Sequence, residues 1–147
     1  RCMAQYQAKL SGPLLDRFDL SIDVPAIHAA DLLLPSPAEG SQHVAARVAR
    51  ARAIQRQRFL DLGLAHLETN SAAPANVVEH MARPDKAGTD LIREAADRLR
   101  LTARGFHRVL KLARTLADLD ESEGVRRIHV AEALSYRGQS ARAAEAA

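Results

Sequence analysis

The chain has 147 residues, enough for one ordinary domain or for a small domain with a piece of another, and its single cysteine, Cys2, excludes an internal disulfide framework and suits a reducing cytoplasm. Net charge is +3, with 18 arginines against three lysines, an Arg-and-Ala bias that GC-rich codon usage produces unaided and that is therefore weak evidence for nucleic acid. Aromatics at 3% are too few for a base-stacking platform, no window approaches the ~18 continuous apolar residues of a membrane span, and the start does not resemble a signal peptide.

The chain opens on Arg1 rather than methionine, which points to a piece of a longer protein or a processed chain. Residues 3 to 18 read as a short helix, a turn at "SGP" and the segment "LLDRF". In "DLSIDVP", Leu20, Ile22 and Val24 alternate with polar residues until Pro25 stops the run, the one convincing strand pattern. A single strand cannot satisfy its own ladder hydrogen bonds, so its sheet is expected outside this sequence. Residues 26 to 40, ending in "LLLPSPAEGS", read as a linker, and everything beyond is expected to be helical.

The first long helix is expected from Ser41 to Gly63, with Val44, Val48, Ala51, Phe59 and Leu62 as its apolar seam. Arg47, Arg50, Arg52, Arg56 and Arg58 flank that seam, and no acid lies between Glu39 and Asp61. The plainer reading is a solvated face with snorkelling stems; the sharper one is a stripe facing DNA or a partner. Two shorter helices are expected at 74 to 81 and 84 to 99, each with proline at its first position.

Thr102 reads as the N-cap of the next helix, in which Phe106, Val109, Leu110, Ala113, Leu116 and Ala117 recur at spacings of three and four on one apolar face. Arg104, Arg108 and Lys111 lie on the opposite face. Arg104 thereby falls in the first turn, where the helix dipole disfavours a cation by roughly a few tenths of a kcal/mol unless an anion is near. A last helix is expected at about 128 to 136, followed by a low-complexity tail.

Six histidines and one cysteine show no metal-ligand spacing, and there is neither a G-x-S-x-G elbow nor a G-x-x-x-x-G-K-[ST] phosphate loop. The chain by itself is therefore not expected to bind a metal or hydrolyse ATP. Arg17, between Asp16 and Asp19, has the local reading of a surface salt bridge worth about 0 to 1 kcal/mol. For both Arg17 and Arg104 the alternative is a phosphate contact, which the planar, permanently charged guanidinium suits.

Taken together, "RC", "Y..KLSGPLLDRFDLSIDVP", "RVARARAIQRQRF", "LRLTARGFHRVLKLARTLADL" and "IHVAEALSYR" resemble the C-terminal half of a magnesium-chelatase-like AAA+ ATPase, closest to its ComM (YifB) branch. The resemblance covers residues 1 to 138 and is loosest over "HLETNSAAPANVVEHMARPD". It implies a mainly α fold: a helical-bundle lid domain over residues 41 to 138, preceded at 1 to 40 by a remnant of the α/β ATPase core with one orphan β-strand, and followed at 139 to 147 by a flexible tail.

It further implies that Arg17 is an arginine finger reaching the γ-phosphate of ATP in the next subunit, and that Arg104 is the sensor-2 residue of the lid. ATP and Mg2+ would then serve the full-length protein, with none expected in this chain alone. The implied partners are the N-terminal AAA+ core, further copies in a hexameric ring and, for the ComM branch, DNA undergoing branch migration; no membrane is implied. The competing expectation is a stand-alone helical module that binds DNA or protein through the Arg47 to Arg58 stripe, or through Arg104, Arg108 and Lys111.

Overall fold

The structure, a computed structural model, describes residues 17–22, 24, 26, 28 and 39–145, leaving out the side chains of 138–145. The helix and turn expected before Arg17, and most of the linker expected at 26 to 40, lie outside the described residues. Five α-helices follow in order: α1 (Ser41–Asp61), α2 (Ala75–Met81), α3 (Lys86–Arg98), α4 (Ala103–Leu119) and α5 (Arg127–Glu145), with a 3₁₀ turn at Asn70–Ala72 between α1 and α2. The expected mainly α bundle is present.

The helix stops have local causes. After α1, Gly63 adopts φ +71°, its N–H donates to Leu60 O, and Leu64 N–H donates to Phe59 O. This is the paired closure of a Schellman motif, in which left-handed backbone at the residue after the cap satisfies the last carbonyls. The same paired closure ends α4 at Glu121, and α3 ends at Arg100 with the outer bond, Leu101 N–H to Ala96 O; these residues accept φ of 54° and 47° without being glycine. At the starts, Asp85 accepts from Gly88 N–H (2.6 Å) and Thr102 from Gly105 N–H (3.0 Å).

Both prolines sit earlier than expected, Pro74 by one step and Pro84 by two. Pro74 is the N-cap of α2, and Pro84 precedes the N-cap Asp85 of α3. Asp85 offers an acceptor for an orphan N–H, which Pro84 cannot, so the carboxylate takes the capping position. Pro84 and Val125 form an isolated bridge, with Asp85 N–H donating to Val125 O at 2.9 Å, tying the loop before α3 to the loop before α5.

Helix α4 is central: it packs against α5, α1, α2 and the 3₁₀ turn, while α3 lies on α5. Phe59, Val78, Ile92, Val109, Leu110, Ala113, Ala117, Val125, Val130 and Ala133 form the core. Of the apolar face expected on α4, Val109, Leu110, Ala113 and Ala117 are buried, and Phe106 and Leu116 pack at its edge.

The seam expected on α1 holds only at its C-terminal end. Ala51, Gln55 and Phe59 are buried; Val44 and Val48 are 38% and 43% exposed, in a stretch, residues 41 to 50, with no buried position, and Leu62, just past the helix end, is exposed as well. Helix α5 outruns its expected end and continues to Glu145.

The strand expected at residues 20 to 24 does not appear among the described residues. Leu20, Ile22 and Val24 are exposed, and Ser21 N–H donates to Tyr136 O in α5 at 3.0 Å rather than to a ladder neighbour. A strand pattern with no adjacent strand has nowhere else to send its backbone donors.

Polar residues also enter the core. Asp118, with no exposure, accepts from both terminal nitrogens of Arg58, from Nε of Arg114, whose Nη2 lies 3.0 Å away as an ion pair, and from Nδ2 of Asn70. Arg114 then donates to the carbonyls of Ser122 (2.6 Å) and Glu123 (2.7 Å), bracing the turn after α4. Burial pushes the Arg114 guanidinium below its ordinary pKa, and the Asp118 carboxylate acts in the opposite direction.

His129 is likewise buried. Its Nδ1 accepts from Arg126 N–H at 2.9 Å, so the ring proton belongs on Nε2, which donates to Asp120 Oδ2 at 3.1 Å. It thus closes the N-terminus of α5, as the third residue of a capping box does.

Candidate functional site

The site is built on the first turns of α4. Thr102 has extended backbone, φ −68° and ψ 160°, and its hydroxyl satisfies Gly105 N–H, leaving the N–H groups of the first turn directed outward. The turn is closely surrounded at Gly105: a Cβ there would lie 3.3 Å from Thr102 Oγ1 and 3.4 Å from Nη2 of Arg137. Helix α5 therefore delivers a second guanidinium, Arg137, to the turn that carries Arg104.

Arg104 is exposed and has neither a hydrogen bond nor an ion pair among the described residues. It stands where backbone N–H groups and the helix dipole both favour an anion. One turn further along the same face, Arg108 Nη1 donates to the backbone carbonyl of Arg17 and to Asp19 Oδ1. The segment bearing Arg17 is thereby held on α4, and its other end is held on α5 by the bond from Ser21. The guanidinium of Arg17 is exposed.

Beyond Arg108, a cavity of about 180 Å³ is lined by Asp19, Ser71, Arg108, Lys111, Leu112 and Thr115. Lys111 Nζ donates to Ser71 O at 2.8 Å across it. Burial lowers the Lys111 pKa, the Asp19 carboxylate opposes that shift, and the Arg108 charge adds to it.

The five arginines of α1 do not form one surface. Their spacings of 3, 2, 4 and 2 residues distribute them around the helix axis. Arg47 pairs with Glu39 (3.0 Å), Arg50 with Glu121 (2.7 Å), and Arg52 donates to Gln55 Oε1 (3.1 Å). Arg56 is exposed, while Arg58 turns inward to Asp118. Among the described residues no group of three or more His, Cys, Asp or Glu side chains could hold a metal ion.

From sequence, Arg108 belongs only to the basic set Arg104, Arg108 and Lys111 that a binding module would use, and Asp19 flanks Arg17 as a local salt-bridge partner. The available signal was the four-residue step from Arg104 to Arg108, which puts both on one face; the contact with Asp19, 89 residues away, had none.

Comparison with known proteins agrees with this architecture. Residues 38–137 match the family described as magnesium chelatase, subunit ChlI C-terminal. The chain belongs to the magnesium chelatase family. Residues 1–32 match a second description of that family, magnesium chelatase, subunit ChlI. The described bundle is thus the C-terminal domain of a magnesium-chelatase-like protein.

The chain is 36% identical over 134 residues to competence protein ComM of Haemophilus influenzae, covering 90% of this chain and 25% of that protein. It is 35% identical over 137 residues to YifB of Escherichia coli K12, with the same coverage. An uncharacterized protein of Mycobacterium tuberculosis is 36% identical over 138 residues, covering 94% of this chain and 27% of its own length. The chain therefore spans about a quarter of the length of the curated relatives it matches. No helix of the described residues is long and apolar enough to cross a membrane.

Proposed function

We propose that this region is the lid of a magnesium-chelatase-like AAA+ ATPase, with Arg104 as the sensor-2 contact to the ATP γ-phosphate and Arg17 as the finger offered to the neighbouring subunit. The observation that carries the reading is Arg104 itself: an exposed cation with no partner among the described residues, in the first turn of a side-chain-capped helix. An arginine there is mismatched with the helix dipole until an anion arrives, and a nucleotide phosphate is an anion of suitable charge and geometry.

The phosphate loop, Mg2+ and their ligands belong to the α/β core outside these 147 residues. Arg104 would orient the γ-phosphate within its own subunit, and Arg17 would stabilise charge developing on it across the interface. Because the two arginines serve different sites, hydrolysis requires a ring, and the family resemblance favours a hexamer. The similarity to competence protein ComM favours work on DNA, such as branch migration, over chelation, in a cytoplasmic setting.

In the full-length protein, Arg17→Ala is expected to lower ATP turnover by about 10³-fold or more, on the scale of arginine fingers supplied in trans. Mixing those subunits with others whose phosphate-loop lysine is replaced should restore part of the activity. Arg104→Ala should lose turnover without being rescued by that mixing. Unchanged turnover of the Arg17 variant would refute the assignment.

A further inference from the structure

We infer that Arg108 is a positioning residue, a latch that fixes the Arg17 finger to the helix carrying Arg104, so that nucleotide contact in one subunit sets the finger it presents to the next. This rests on the reading of Arg17 and Arg104 given above. A single guanidinium makes both contacts: it donates to the carbonyl of Arg17 itself and to the carboxylate of Asp19 two residues on. Gripping the main chain of the finger residue restrains its backbone directly, which a side-chain salt bridge alone would not do.

Three further features fit a coupling device. The Arg108 side chain is 23% exposed against 57% for Asp19, so the guanidinium is held at the edge of the bundle while its carboxylate partner faces water. The bond from Ser21 N–H to Tyr136 O anchors the other end of the segment, so the finger lies near two fixed points, one on α4 and one on α5. Lys111, one turn beyond Arg108, faces the same Asp19 carboxylate from the lining of the small cavity. Asp19 is therefore the counter-charge shared by Arg108 and Lys111.

Arg104 and Arg108 are four residues apart on a single rigid helix, so a movement of α4 toward bound phosphate displaces the Arg17 backbone by a similar amount. A finger is sensitive to such displacement, since a misplacement of ~1 Å can cost on the order of 10²-fold in rate.

The test uses mixed rings of the full-length protein. One subunit type carries Arg17→Ala and an intact phosphate loop; the other carries a disabled phosphate loop and an intact finger. Turnover then comes only from interfaces where the second type lends its finger to the first. Adding Arg108→Ala to the finger-lending subunit should reduce this complemented kcat by about tenfold or more, within the range that ~1 Å of misplacement produces, while KM for ATP at the untouched phosphate loop stays the same.

Asp19→Asn in the same subunit loosens the latch from an exposed position, without threatening the fold, and should reduce kcat in the same direction but less. Complementation unchanged by both substitutions would overturn the latch. Full turnover by Arg17→Ala rings on their own would instead overturn the finger assignment, leaving the two failures distinguishable.

Discussion

Removing the Asp118 carboxylate tests whether the bundle is held by a buried counter-charge. Asp118→Ala deletes the acceptor shared by Arg58, Arg114 and Asn70 and leaves Arg114, whose side chain is 2% exposed, without a carboxylate. Breaking a buried ion pair from one side costs about 3 to 5 kcal/mol. Two features place this case at the lower end: Arg58 is 18% exposed and can turn its charge toward water, and Arg114 keeps the carbonyls of Ser122 and Glu123.

A loss of about 3 kcal/mol is a large share of the ~5 to 15 kcal/mol that holds a domain together, and at ~4 to 8 °C per kcal/mol it lowers Tm by roughly 12 to 24 °C. Arg58→Met should cost less, about 1 to 2 kcal/mol, because Asp118 then retains Arg114 and Asn70. Urea and thermal unfolding of the 147-residue chain, followed by far-UV circular dichroism, measure both. An Asp118→Ala shift below about 4 °C, or a larger loss from Arg58→Met than from Asp118→Ala, would refute the reasoning.

Four further outcomes are expected. Gly88→Ala should destabilise by about 1 to 2 kcal/mol: a Cβ would sit 2.9 Å from both Asp85 Oδ1 and Pro84 Cβ, and this crowding outweighs the ~1 kcal/mol gain in helix propensity; a higher Tm would contradict it. Arg100→Gly should stabilise by roughly 0.5 to 1 kcal/mol, since Arg100 holds φ 47° where glycine is unstrained, and a lower urea midpoint would count against it.

Lys111 has a folded pKa below its unfolded 10.5, so between those values the unfolded chain binds more protons and the lysine's contribution becomes more favourable as pH rises. Wild type should therefore gain stability relative to Lys111→Met as pH approaches 10.5, and a relative loss over that window would reverse the sign. If α1 contacts duplex DNA, Arg52→Ala with Arg56→Ala should flatten the salt dependence of binding by about two log units per log unit of salt, and an unchanged slope would remove these residues from any DNA contact.

The chain's local chemistry was legible in its residues. Thr102 capping its helix, Gly63 ending one, and the spacing of Val109, Leu110, Ala113 and Ala117 follow from interactions that span only a few positions, so each can be read from a short window. The same locality explains why Arg104 could be placed in a first turn.

Burial of charge obeys no such local rule. Arg114 and Asp118 carry no local signal of burial, yet they lie in the core, where Arg58, 60 residues before Asp118, brings a compensating charge. Arg108 reaches Asp19 across 89 residues, and Val44 and Val48 stay exposed because α4 covers only the far half of α1. Capping and periodicity are energies of neighbouring residues, whereas the placement of a buried charge or an uncovered valine depends on which distant surface packs against it, and only the tertiary structure supplies that surface.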